Sequence, residues 1–135
     1  VGKDNVASVA RSLKDKNTII NQVIYSSAER AKQTALLMCE GLDIALGKQA
    51  EDPRIYNACV SQLQTVLSEI DKSLYSFLLV GHNPGFADLV LSLCDEFVGL
   101  SAGNIAVVYG ESWEDFRDCK CRFVEKINGE VHRYS

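Results

Sequence analysis

The run Tyr75-Ser-Phe-Leu-Leu-Val80 is the most apolar stretch of the chain, and it stops at Gly81. A short apolar run bounded by a glycine suits a central strand buried on both faces. Phe86, Leu89, Val90, Leu93, Cys94 and Phe97 then recur at i, i+3, i+4, i+7, i+8 and i+11, the spacing of an apolar helix face. A buried strand, a Gly-His-Asn-Pro-Gly turn and a helix in direct succession restrict the fold strongly. They form a βα unit, and such units assemble into parallel sheets covered by helices.

The remaining chain alternates in the same way. Val6, Val9, Ala10 and Leu13 predict an amphipathic helix near residues 3–15. Gln22-Val-Ile-Tyr25 reads as a short buried strand, which Ser26 and Ser27 break while offering an N-cap. Ala31, Ala35, Met38 and Leu42 mark one face of a second helix, expected to end near Gly47. Pro53 interrupts the next piece, and Arg54-Ile-Tyr56 reads as an edge strand or a loop. Val60, Leu63, Val66, Leu67 and Ile70 give a third helix, Asn104–Tyr109 a strand and Cys121–Ile127 an edge strand; Asn128-Gly129 reads as a turn. With 135 residues, 47% of them hydrophobic, the chain suits one core. The expectation is a single domain over residues 1–135: a three-layer α/β/α fold with a mostly parallel sheet and helices on both faces.

Charge and composition exclude some partners. A net charge of −4 argues against nucleic acid or an anionic membrane, yet allows a small basic pocket for a phosphorylated ligand. No apolar run reaches the ~18–20 residues of a membrane-spanning helix. The polar opening Val-Gly-Lys-Asp-Asn lacks the layout of a secretory signal. Five cysteines, an odd number, read as reduced thiols of a cytoplasmic protein. Cys119-Lys-Cys121 is one residue too tight for a zinc knuckle, and no second pair completes a set, so no metal site is expected.

In parallel sheets, ligands bind beyond the carboxyl ends of the strands. Two such ends carry chemistry here. His82 follows the strand ending at Val80, and Pro84 suits the first turn of the next helix, whose free N–H groups favour an anion. The His82 imidazole can donate to a phosphoryl group. Arg30 lies in the first turn after the strand ending at Tyr25, and a guanidinium fork matches phosphate oxygens. Either residue alone reads more simply as a structural histidine or a surface arginine. Two strand-to-helix openings in one sheet, one with Arg and one with His, favour a joint phosphate site.

These segments resemble the histidine-phosphatase (phosphoglycerate mutase-like) superfamily, above all its SixA-type phosphohistidine phosphatases. Tyr25-Ser-Ser-Ala-Glu-Arg-Ala-Lys-Gln-Thr-Ala35 is similar to that branch's Ser-Pro-x-x-Arg-Ala-x-Gln-Thr-Ala segment, with Ser27 in place of the usual proline. Leu78-Leu-Val-Gly-His-Asn-Pro-Gly85 matches its Leu-Val-Gly-His-Asn-Pro-Gly segment, and Gly103-Asn-Ile-Ala-Val-Val108 and Trp113 fit its C-terminal strand and loop. The resemblance implies phosphoryl transfer through a phosphohistidine, with Arg30 and His82 catalytic and phosphate-binding and with Asn83 and Ser26 adding hydrogen bonds. It implies no metal or other cofactor, and a phosphorylated protein or a small phosphate as partner.

One departure stands out. The superfamily's first strand ends in Arg-His-Gly, whose histidine becomes phosphorylated, and this sequence has no Arg-His-Gly; its other histidine, His132, lies in a polar tail. Either an N-terminal piece precedes Val1 or the protein is a degenerate, non-catalytic phosphate-binding relative. The retained Arg30 and the intact His82 segment favour the first, with the chain alone inactive. Without that strand, an opening is expected between the strands ending at Tyr25 and Val80. Glu51 and Asp52 stand in a short segment, and no proton donor is assigned.

Overall fold

The structure, a computed structural model, describes residues 10–11, 13–15, 19–82, 85–100 and 105–127. Three strands make a parallel sheet in the order β2-β1-β3: β1 Gln22–Tyr25, β2 Gln49–Glu51 and β3 Phe77–Val80. Val23 aligns with Gln49 and Tyr25 with Glu51; on the other side Gln22 aligns with Phe77 and Tyr25 with Val80. A second sheet pairs β4 (Ile105–Tyr109) antiparallel with β5 (Arg122–Ile127), with an irregularity between Val107 and Val108. The helices are α1 Glu29–Gly41, α2 Val60–Ser68, α3 Gly85–Cys94 and the short α4 Trp113–Arg117. Residues 10, 11 and 13–15 are also helical; the remainder of the predicted 3–15 helix lies outside the described residues.

The apolar faces read from the sequence meet the sheet. Ala31, Ala35, Met38 and Cys39 of α1 are buried, as are Leu63 and Val66 of α2 and Leu89, Val90 and Leu93 of α3. One core cluster joins Ile24, Ile55, Leu63, Val66, Leu89 and Leu93; another joins Val23, Ala31, Ala35 and Val80. Parallel strands flanked by helices confirm the expected α/β class.

Several details differ from expectation. Helix α1 ends at Gly41, not near Gly47: Asp43 takes a left-handed φ of 56°, and a Cβ on Gly41 would stand 2.7 Å from Ala10 Cβ. Of the two readings for Arg54-Ile-Tyr56, an edge strand or a loop, the strand does not form: Pro53–Ile55 is a 3₁₀ turn started by Pro53. Phe97 lies past the end of α3 and is 71% exposed, because Asp95 turns the chain away at φ 54°.

The sheet also breaks in an unexpected place. The strands ending at Tyr25 and Val80 are hydrogen-bonded neighbours, so there is no opening between them. No described strand pairs with the other edge of β3 or with the second edge of β4. The two sheets nevertheless share both apolar layers. Leu78 packs in one cluster with Ile105 and Val107, whereas Leu79 packs in another with Val108. Strand β3 is accordingly half-buried, with Val80 alone enclosed, instead of buried on both faces.

Candidate active site

Because β1 and β3 are parallel and in register, Tyr25 and Val80 end side by side. The chain beyond them stays together, since the Ser26 amide donates to the Val80 carbonyl at 2.9 Å. Each strand then turns into a helix whose N-terminus faces this edge of the sheet. Unpaired N–H groups and the positive end of the helix dipole lie there in both cases. The third strand ends beside them too, with the Asp52 amide donating to the Tyr25 carbonyl at 2.8 Å.

The first turn carries Arg30, exposed in the first turn of α1. Among the described residues its guanidinium makes no hydrogen bond or ion pair. Arg54 and Arg117, by contrast, are each engaged by carboxylates within 3 Å. A planar cation at two helix N-termini with no carboxylate of its own is suited to an incoming anion. Ser26 is fully buried, and its Oγ accepts the Ala28 amide at 3.2 Å. It therefore shapes the turn two residues ahead of the helix, and the N-cap position falls to Ala28, whose side chain caps nothing. The Ser26 hydroxyl keeps its proton as a further donor.

His82 sits in the second turn, two residues past Val80, and is half-buried. It too makes no hydrogen bond or ion pair among the described residues. The glycines on either side explain how the chain fits there. A Cβ on Gly81 would meet the Phe86 ring at 2.6 Å and Ile55 Cγ2 at 2.9 Å; one on Gly85 would meet the Ala58 carbonyl oxygen at 2.3 Å. Side chains at these positions are excluded, so the turn lies directly on the 3₁₀ segment. Asn83 lies outside the described residues.

The structure thus brings Arg30, Ser26 and His82 onto two adjoining turns at one end of the sheet. It also adds residues that the sequence reading left out. Lys32, one turn of helix from Glu29, reaches Glu51 at the end of β2 with Nζ–O 3.2 Å. The Glu51 carboxylate, by hydrogen bond and charge, holds the Lys32 ammonium above its usual pKa. Asp52 is held below the usual carboxylate range by hydrogen bonds from Arg54. Glu51 and Asp52, the two carboxylates at and just past the end of β1's neighbour β2, are thus each paired with a cation. Only the β1–β2 pairing brings Lys32 and Glu51 together, so nothing in their spacing along the chain betrays them.

An open cleft of about 510 Å³ lies between the N-termini of α2 and α3, lined by Asn57, Ala58, Cys59, Ser61, Gly85 and Asp88. It touches the His82 turn through Gly85 but includes neither His82 nor Arg30. Cys59 is exposed there, and its hydrogen bond with Ser61 lowers the thiol pKa.

No protein-family profile and no curated protein matches the sequence. Solved structures do match the fold. The protein histidine phosphatase SixA complexed with tungstate superposes with a TM-score of 0.82 at 21% identity, covering 95% of this chain and 81% of that one. A candidate phosphohistidine phosphatase SixA from Nakamurella multipartitia superposes at 0.75 and 19% identity, over 92% of this chain and 81% of its own. Another from Agrobacterium tumefaciens gives 0.69 and 18%, over 90% and 76%. The chain has the SixA, phosphoglycerate mutase-like fold. No helix among the described residues is long and apolar enough to cross a membrane.

Proposed function

We propose that this protein is the phosphate-binding body of a histidine phosphatase, acting on phosphohistidine of a protein or on a small phosphorylated substrate. One observation carries the reading. Arg30 and His82, whose side chains have no hydrogen-bond or ion-pair partner among the described residues, lie on adjoining strand-to-helix segments at one edge of the sheet. That arrangement offers forked and single donors, plus aligned N–H dipoles, to the equatorial oxygens of a phosphoryl group. The likeness to a SixA protein that binds tungstate, a tetrahedral oxyanion like phosphate, supports it.

In this scheme a histidine nucleophile attacks phosphorus and forms a covalent phosphohistidine, while the bond to the leaving group breaks. Arg30 and His82 hold the oxygens and stabilise the charge that builds on them. Asn83 adds a hydrogen bond, and Ser26 supports the Arg30 turn. Water then attacks, phosphate leaves and the histidine is regenerated. We place the nucleophile on a strand that would pair with the edges of β3 and β4 to which no described strand is bonded, next to the Val80 end. Glu51 and Asp52 are paired with Lys32 and Arg54, and a phosphohistidine substrate, whose nitrogen departs easily once protonated, needs at most a weak proton donor. Free thiols at all five cysteines fit a reducing, cytoplasmic setting.

The test is hydrolysis of a phosphohistidine-bearing protein by the chain joined to whatever its gene encodes upstream of Val1. Turnover that falls about 100-fold or more in Arg30→Ala and in His82→Ala supports the assignment. Full activity in either variant overturns it. Phosphate binding that depends on both residues, without turnover, identifies the protein as a non-catalytic phosphate-binding relative.

A further inference from the structure

The His82 turn is packed both by Phe86, close by in sequence, and by a segment some 25–30 residues earlier. At both glycines that flank it a side chain would collide with the stretch from Asp52 to Ala58: a Cβ on Gly81 with Ile55 Cγ2, behind the Phe86 ring, and one on Gly85 with the Ala58 carbonyl oxygen. Ile55 is 1% exposed and belongs to the main core cluster. Any shift of this floor must move the turn above it, because van der Waals contact leaves no slack.

The floor is fastened at its start, and to the end of the helix beyond it, by a single side chain. Arg54 Nε and Nη2 donate to the two oxygens of Asp52 at 3.0 and 2.7 Å. Its Nη1 and Nη2 donate to the two oxygens of Glu69 at 2.9 and 2.7 Å. The same Asp52 carboxylate also accepts the Arg54 amide at 2.9 Å, and Glu69 is the residue that closes α2. The guanidinium therefore ties the start of the floor to the far end of the helix that follows it, with a two-pronged contact on each side. Within the floor, Ile55 donates to the Asp52 carbonyl and Ala58 to the Ile55 carbonyl. Ion pairs this exposed contribute little to global stability. Their planar, doubly bidentate geometry instead fixes orientation.

We propose that Arg54 is a positioning residue for His82: by bridging Asp52 and Glu69 it sets the height of the 52–58 floor on which the His82 turn rests. Its consequence for chemistry rests on the phosphate-site reading given above. Arg54 touches no substrate; it acts through Ile55 and Ala58. A misplacement of about 1 Å at a phosphate-binding side chain costs up to ~100-fold in rate, so small motions of the floor matter.

Nuclear magnetic resonance of the imidazoles tests this in the chain as it stands, because only two histidines, His82 and His132, contribute signals. The wild type and Arg54→Ala are compared without ligand and during titration with inorganic phosphate. Expected are a displaced or broadened His82 resonance in Arg54→Ala and a phosphate affinity weakened about tenfold, with His132 unmoved. Glu69→Gln, which keeps the shape and removes one charged partner, should show the same change to a smaller degree, and it decides the matter should Arg54→Ala fail to fold. Arg117→Ala, which removes a guanidinium paired with Asp118 on α4, should alter neither readout. Variants at Arg54 and Glu69 with His82 resonances and phosphate affinity within twofold of wild type overturn the proposal. A wild-type His82 that ignores phosphate overturns the phosphate-site reading instead, and the ligand-free resonances then decide the role of Arg54 on their own.

Discussion

The turns carrying Arg30 and His82 occupy equivalent places in the sheet but are stabilised by different means. The Arg30 turn is held largely from within: the Ser26 hydroxyl accepts the Ala28 amide, and the Ser26 amide reaches only to the adjacent strand. The His82 turn is held by Phe86 and also from outside, by Ile55 and Ala58 packed against its two glycines, with Arg54 behind them. A cation that grips through its own fork needs only a firm base. An imidazole that must meet an oxygen at hydrogen-bond distance needs its backbone placed from several sides. In the proposed phosphate site, one sheet edge would combine a cation on a locally held turn with an imidazole on a turn packed by distant segments.

The largest effects should come from the two side chains themselves. Arg30→Ala and His82→Ala are expected to reduce phosphohistidine hydrolysis about 100-fold or more. Because Arg30 is exposed, its replacement should leave the melting temperature within about 3 °C of wild type. Retained activity with a large loss of stability would reverse the assignment for that residue.

Next come the supports. Gly85→Ala forces a methyl group to 2.3 Å from the Ala58 oxygen, a backbone atom that cannot swing aside, and should destabilise by roughly 1–3 kcal/mol. Ser26→Ala removes one buried hydrogen bond and should cost about 1 kcal/mol. Chemical denaturation measures both. A Gly85→Ala protein as stable as wild type would mean that the His82 turn is not held from outside.

A smaller effect concerns acid. Hydrogen bonds from Arg54 hold the Asp52 and Glu69 carboxyls below their ordinary range. A carboxyl depressed in the folded state contributes stability that is complete above its unfolded pKa of about 4 and is lost as pH falls through the folded value. The Arg54 group is shifted upward, so its own contribution is lost only at strongly alkaline pH. The stability gap between wild type and Arg54→Ala should therefore be constant near neutrality and close below about pH 4. A gap that persists in acid would place the effect of Arg54 in packing instead of charge.

The smallest is chemical. Cys59 is exposed, with its thiol pKa lowered by Ser61, whereas burial pushes the Cys121 thiol up to about 12. Thiol-specific alkylation under native conditions should label Cys59 first and Cys121 last. Protection of Cys59 by phosphate would extend the anion site into the cleft beside Gly85, and unchanged labelling would confine it to the two turns.

Much of this was legible before any coordinates. The 3.6-residue recurrence of Leu89, Val90 and Leu93 and of Ala31, Ala35 and Met38 announces α3 and α1, because a helix must bury a stripe. The run ending at Val80 announces β3. Periodicity places the end of α1 several residues late, since the stop comes with Asp43 entering the left-handed region, which periodicity does not record. The Lys32–Glu51 and Arg54–Glu69 pairs were invisible for a related reason: their partners are 19 and 15 residues away and meet only after strands and helices have packed.

By itself the amino-acid order determined the alternation of strands and helices and put Arg30 and His82 just past two strand ends, because those features depend on local spacing and on where glycine and proline interrupt it. Only the tertiary structure decided that the two strands are direct neighbours, that no described strand pairs with the far side of β3, and that Arg54 bridges Asp52 and Glu69. Pairing order and contact between distant segments depend on which surfaces exclude water together, and no local pattern carries that information.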